Sequence, residues 1–307
     1  MRRINSVHVF RPMMRFSPEC VPCLLNRIIY EVELVAPDRV QEAVEESLHI
    51  LSSEFPKGMN SAQLATKVHE RVYEISGSRD PYADLKKRSD IAAELVFPRA
   101  RDYVDRSGDR LRAAVQCAIA GNVLDFGIDV GFERPEDLGM KFDKLLAEGL
   151  AVDDLEEAKD LMRKARSVVY LLDNCGESVF DRLLVKEVKR LGPKVIGVVK
   201  GAPILTDVTL EDAERVHIDQ CFDQVLSTGV FAVGIDVTRM PAGLGAALDQ
   251  ADLIISKGMA NFESLSDERF GPILYLLRAK CAPVAHSIGA KRSDNVARLV
   301  RRIDYQV

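Results

Sequence analysis

The sequence predicts an α/β fold: a Rossmann-like, largely parallel sheet with an all-helical N-terminal region. Three observations carry that expectation. Apolar residues recur at helical spacing from about residue 17 to 165. Beyond residue 166, short runs rich in Val and Ile alternate with charged amphipathic stretches, the texture of β-α-β units. Finally, 47% apolar residues over 307 positions are enough for one large core or two ordinary ones. The implied division is a leader at 1–13, a helical domain at 14–165 and an α/β domain at 166–307.

In chain order, the periodicity predicts helices near Val21 to Leu34, Val40 to Phe55, Ser61 to Ile75 and Tyr82 to Arg106. Three more follow near Arg110 to Gly121, Leu138 to Glu148 and Asp154 to Lys164. Cap chemistry supports the boundaries, as where Pro37 and Asp38 open the second helix. Strands are predicted at SVVYLL, KVIGVV, QVLS, ADLIIS and PVAHSI. Between the first two, SVFDRLLVKEVKRLG reads as a crossover helix that stops at Gly192-Pro193.

The formal net charge of -5 supplies no basic stripe for a nucleic acid backbone. No apolar run approaches the roughly 20 residues of a membrane-spanning helix. The first residues lack the apolar core of a secretory signal, and Met14 is an alternative start. Six cysteines with a single close pair do not make a disulfide framework, so a cytoplasmic protein is expected.

Four segments can carry chemistry. In YLLDNCGESVFD an apolar strand ends on Asp173 and Asn174, where ligands gather in open α/β sheets. A carboxylate beside a neutral carbonyl oxygen suits Mg²⁺ or Mn²⁺, although both side chains also make ordinary helix caps. In KGAPILTDVTLEDA, Asp207 follows the next strand and can approach Asp173, and a cation between them would relieve their repulsion. Asp212 is the weaker acid there, expected on a solvated first turn. In ADLIISKGMANFESL, Lys257 and Gly258 end a third strand, with Asn261 and Glu263 in the following turn. A lysine and a glycine at that place suit an anion. In AGNVLDFG, Asn122 and Asp125 can close a pocket from the helical half, although Gly121-Asn122 also reads as a helix end.

Together with SPECVPCLLNR and AKCAPVA, these segments resemble the damage-control phosphatase family, metal-dependent enzymes once grouped as a domain of unknown function. The resemblance implies one divalent cation, Mn, Mg, Co or Ni, on Asp173, Asn174 and Asp207. It also implies hydrolysis of small phosphorylated metabolites such as sugar phosphates, with Lys257 holding the phosphate. The attacking group is either water or Asp173. Glu177 can serve as a base or suit the start of its helix. The sequence departs from the family's common pattern at Cys175, where alanine is frequent; the thiol becomes an oxidation target if exposed. Cys20, Cys23 and Cys281 fit a second metal or redox site, or three packed small hydrophobes.

Two rival readings remain at this level. One is an adenosine-ligand-dependent transferase, of a carboxyl methyltransferase kind, which lacks its G-x-G-x-x-G turn here. The other is a non-catalytic metal- or metabolite-binding module. A homo-oligomer is left open, and neither nucleic acid nor membrane is an expected partner.

Overall fold

The computed structural model describes residues 14–125 and 134–301; the expected leader at 1–13 lies outside the described residues. Among the described residues, seven α-helices precede the main run of strands: α1 (Cys20–Glu33), α2 (Val40–Glu54), α3 (Ser61–Ser76), α4 (Ala83–Arg106), α5 (Arg110–Gly121), α6 (Leu138–Ala147) and α7 (Leu155–Lys164). Local chemistry sets their ends. Asn60 caps α3 by accepting from Ala62 N, and Asp109 caps α5 by accepting from Arg112 N.

A short strand, β1 (Val152–Asp153), sits between α6 and α7. The rest of the sheet is β2 (Ser167–Leu171), β3 (Lys194–Val199), β4 (Gln224–Ser227), β5 (Leu253–Lys257), β6 (Ile273–Arg278) and β7 (Asn295–Val300). The intervening helices are α8 (Glu177–Lys189), α9 (Leu210–Arg215), α10 (Ala242–Gln250), α11 (Gly258–Leu265) and α12 (Ala282–Ile288). The spatial order is β1-β7-β6-β5-β2-β3-β4. β4, β3, β2, β5 and β6 run parallel, while β7 is antiparallel to β6 and β1 is parallel to β7. The chain steps outward from β2 through β3 to β4, then returns to β5 on the other side of β2. The ends of β2 and β5 therefore flank the reversal of strand order where α/β sheets bind ligands.

Strand alternation builds two buried faces. Val168 and Tyr170 of β2, with Leu253 and Ile255 of β5, pack among the buried residues of α4, α5, α6 and α8. Val169, Leu171 and Ile254 face the other way, among the buried residues of α10, α11 and α12. A third apolar cluster joins α1, α2 and α3 through Leu24, Ile28, Ala43, Leu64 and Val68.

One predicted strand is overturned. PVAHSI forms α12, opened by Pro283 in its first turn and closed by Gly289 in the left-handed conformation (φ 75°). Val284, Ala285 and Ile288 are its buried side, a helical rather than an alternating spacing, and His286 is exposed. Sequence reading also passed over three strands, β1, β7 and, at the centre of that half of the sheet, ILYLLR, β6, every residue of which is buried. Covered on both faces, it shows no polar alternation.

Candidate active site

Asp173 and Asn174 extend past β2 and turn beside the segment that follows β3. Asn174 and Asp207 face each other in an antiparallel bridge. The backbone fixes it twice: Cys175 N donates to Thr206 O, and Val208 N to Asp173 O, each at 2.8 Å. The two carboxylates the sequence nominated are thus held on adjacent stretches of chain. Both are buried, as is Asn174.

Asp173 Oδ2 accepts from Asn122 Nδ2 at 3.0 Å and from Asn174 Nδ2 at 2.6 Å. Its other oxygen, Oδ1, accepts from none of the described residues. Thr206 Oγ1 donates to Asn174 Oδ1 at 2.7 Å. Lys200 Nζ stands 3.2 Å from Asp207 Oδ2 as an ion pair, out of line for a hydrogen bond, so that buried oxygen has no donor. Burial first, then the charges of Asp207 and Glu177, push Asp173 well above the usual carboxylate range. Burial also raises Asp207, against the pull of Lys200.

Gly258 explains how close the next element comes. It opens α11 at φ 70°, and a Cβ there would lie 1.8 Å from Asp173 Oδ2. Only glycine fits both the conformation and the contact. Asn261, one turn on, donates to Leu172 O at 3.0 Å and to Lys257 O at 2.9 Å, tying α11 to the end of β2.

Lys257 is fully buried and turned away from the cavity. Its ammonium donates to Glu177 Oε1 and, at 2.8 Å, to Asp181 Oδ1. Tyr170 OH donates to the same Asp181 oxygen at 2.7 Å. Glu177 Oε2 accepts from Asn122 at 2.7 Å and from Asn174 at 3.0 Å. Lys257 therefore fixes Glu177, and Glu177 fixes the two amides that hold Asp173. Burial raises Asp181 to about 6 although Lys257 opposes it. Burial would lower Lys257, but the charges of Asp181 and Glu177 raise it.

A cavity of about 340 Å³ opens in front of this assembly. Asp173, Asn174, Asp207, Asp125 and Glu263 line it, as do Cys20, Cys23 and Cys281; Arg27, His69 and Lys280 also reach its wall. Lys257, Glu177, Asn122, Gly258 and Asn261 stand behind that lining. Asp125 accepts from Arg27 at 3.1 Å and Lys280 at 2.8 Å. Burial alone would raise it, but those two charges hold it below the usual carboxylate range. Burial raises Glu263. Asp212 lies outside the cavity: it is buried, accepts from the backbone N of Thr209, the N-cap of α9, and pairs with Lys86 at 3.1 Å, where a solvated position was expected.

The cysteines are free thiols. Among the described residues, no three His, Cys, Asp or Glu side chains are arranged to hold a metal ion. Burial pushes Cys281 up to about 12. Cys175 is fully buried and raised well above the usual thiol range, so the condition for its oxidation, exposure, is not met.

The residues that could hold a hard divalent cation are Asp173, Asn174 and Asp207. They offer two buried carboxylates, Asp207 Oδ2 being without a donor and Asp173 Oδ1 accepting from none of the described residues, on backbone segments locked together, with Gly258 leaving room beside Asp173. Sequence reasoning missed Arg27, His69, Asp181 and Lys280. Arg27 and Asp181 end segments already singled out for other residues, and Lys280 is the second residue of another.

The model of the damage-control phosphatase ARMT1-like domain matches residues 16–296. A damage-control phosphatase of Archaeoglobus fulgidus is 43% identical over 289 residues, covering 94% of this chain and 100% of that protein. A damage-control phosphatase of Pyrococcus horikoshii is 31% identical over 279 residues, or 90% and 94% of the two chains. The crystal structure of a DUF89 family protein from P. horikoshii superposes with a TM-score of 0.83 at 30% identity, covering 94% of this chain and 100% of that one.

Proposed function

The chain belongs to the damage-control phosphatase ARMT1-like family, and from that premise we propose that it hydrolyses phosphate monoesters of small metabolites such as sugar phosphates. Family identity implies a metal-dependent phosphatase acting on a small metabolite. The observation that carries the finer reading is the meeting, in one cavity, of two buried carboxylates with two basic side chains, Arg27 and Lys280. The acidic pair suits a cation, and the basic pair suits the phosphate it would bind beside.

Asp173, Asn174 and Asp207 would hold one divalent cation, Mn, Mg, Co or Ni, which when bound supplies charge to polarise a phosphoryl oxygen. Lys280 and Arg27 would exchange part of their contact with Asp125 for the phosphate oxygens. Lys257 has no free proton direction toward the cavity, so the phosphate role passes to Lys280, and Lys257 becomes a positioning residue. Glu177 acts the same way, both its oxygens being engaged. Asp173 Oδ2 is enclosed by two amides and Gly258. With Oδ2 enclosed and Oδ1 left to the cation, water rather than Asp173 is the attacking group.

The test is phosphate release from an aryl phosphate and a sugar-phosphate panel by metal-stripped protein, with each cation restored separately. Release that depends on the cation and falls at least about 1000-fold in Asp173→Ala is the expected result. Cation binding that Asp173→Ala abolishes, with no release from any ester, would replace the phosphatase by a binding module.

A further inference from the structure

His69 and Glu31 form a buried pair that the roles above leave unused. His69, on α3, is 1% exposed, and Glu31, on α1, is 0% exposed. His69 Nδ1 and Glu31 Oε1 are 2.9 Å apart. Nδ1 is engaged by Glu31, and the other ring nitrogen, Nε2, is left for the cavity that His69 lines.

Two further observations make this more than a satisfied core histidine. Among the described residues Glu31 Oε2 has no hydrogen-bond partner, so the imidazole is the one side chain there hydrogen-bonded to this fully buried carboxylate. With Nδ1 committed to Glu31, a second ring proton can sit only on Nε2. The ring is also held against the site. Tyr73, one turn further along α3, packs edge-on to it at 6.4 Å and accepts from Leu205 N at 2.9 Å, two residues before Asp207. A carboxylate that orients an imidazole whose second nitrogen meets a reaction cavity is an arrangement suited to proton transfer.

We infer that His69 donates the proton to the departing alkoxide of the ester, with Glu31 as its positioning residue; the inference rests on the phosphatase reading. The P–O bond to the sugar oxygen breaks, and the Nε2 proton passes to that oxygen as it leaves. The attacking water forms the new P–O bond and releases a proton that restores the ring. A sugar alkoxide is a strong base and needs that proton, whereas a nitrophenolate leaves without it.

The experiment compares 4-nitrophenyl phosphate with the sugar phosphate turned over best in the panel, using cation-loaded wild type, His69→Gln and Glu31→Gln. For His69→Gln, kcat on the sugar phosphate falls roughly 100-fold, with KM within about threefold and kcat on the aryl ester down less than about fivefold. Glu31→Gln shows the same split at smaller amplitude, and it decides the matter should His69→Gln fail to fold. Equal losses on both esters, or a change in KM alone, would overturn the inference and leave the phosphatase standing. A wild type that releases phosphate from neither ester would overturn both.

Discussion

Two groups of charges lie back to back at the ends of β2 and β5, and they differ in whether their unpaired oxygens reach the cavity. Behind the strand ends, Lys257, Glu177, Asp181 and Asn122 pack upon one another: the ammonium meets two carboxylates, Glu177 accepts from two amides, and Asp181 Oδ2, without a donor, is sealed away from the cavity. In front, Asp173 and Asp207 keep oxygens without donors, and Lys280 and Arg27 share one carboxylate, Asp125, at the cavity wall. The residue types are the same. What separates scaffold from chemistry is whether an unpaired oxygen meets the cavity: Asp173 and Asp207 line it, and Asp181 does not. A network sealed from the cavity specifies geometry, and one open to it binds.

Lys257→Met should show the largest effect, because it strands Glu177 and Asp181 as buried carboxylates without their cation. Unfolding stability should fall by about 3–5 kcal/mol, read from urea melts. Stability unchanged, with weaker phosphate affinity, would move Lys257 to the front group. Next comes Lys280→Ala, which should lower kcat/KM about 100-fold, about 2.7 kcal/mol in the transition state. It should cost less than about 1.5 kcal/mol of stability, since Arg27 still pairs with Asp125. A large loss of stability with normal turnover would place Lys280 in the scaffold.

How far this division was legible in the sequence depends on what each residue needed. The helices of the N-terminal half could be read from periodicity and caps, and the fold class from the change of texture after residue 166. Asp173, Asn174 and Asp207 were found because a strand followed by a turn delivers its next residues to the sheet's edge. Lys280 could not be placed, since it lies two residues beyond β6, whose uninterrupted apolar run carried no alternation to mark it as a strand. Arg27 and His69 come from helices that reach the sheet only by tertiary packing, which no local spacing encodes. For Lys257 the signal existed: it shares strand parity with Leu253 and Ile255, which pack on the α8 side.

The smallest expected effect concerns pH. The folded chain raises Asp173 and Asp207, so it holds protons that the unfolded chain has released above about pH 4. The contribution of these groups to stability therefore falls as pH rises from that value through their folded range; Asp181, at about 6, behaves alike behind them. A cation competes with the protons on the front pair alone. The rise in melting temperature on adding Mn²⁺ should grow from pH 5 to pH 8. A constant increment would mean that the cation binds elsewhere.

Gly258 has a consequence for how such a site can be lost. A methyl group there meets Asp173 Oδ2 at 1.8 Å, while every acid, amide and base stays in the sequence. A one-carbon change can thus silence the protein without removing any group that takes part. A catalogue of conserved functional side chains would still score that variant as intact. The damage would be visible only as a displaced carboxylate, which makes Gly258→Ala the control that separates having the right groups from having them in place.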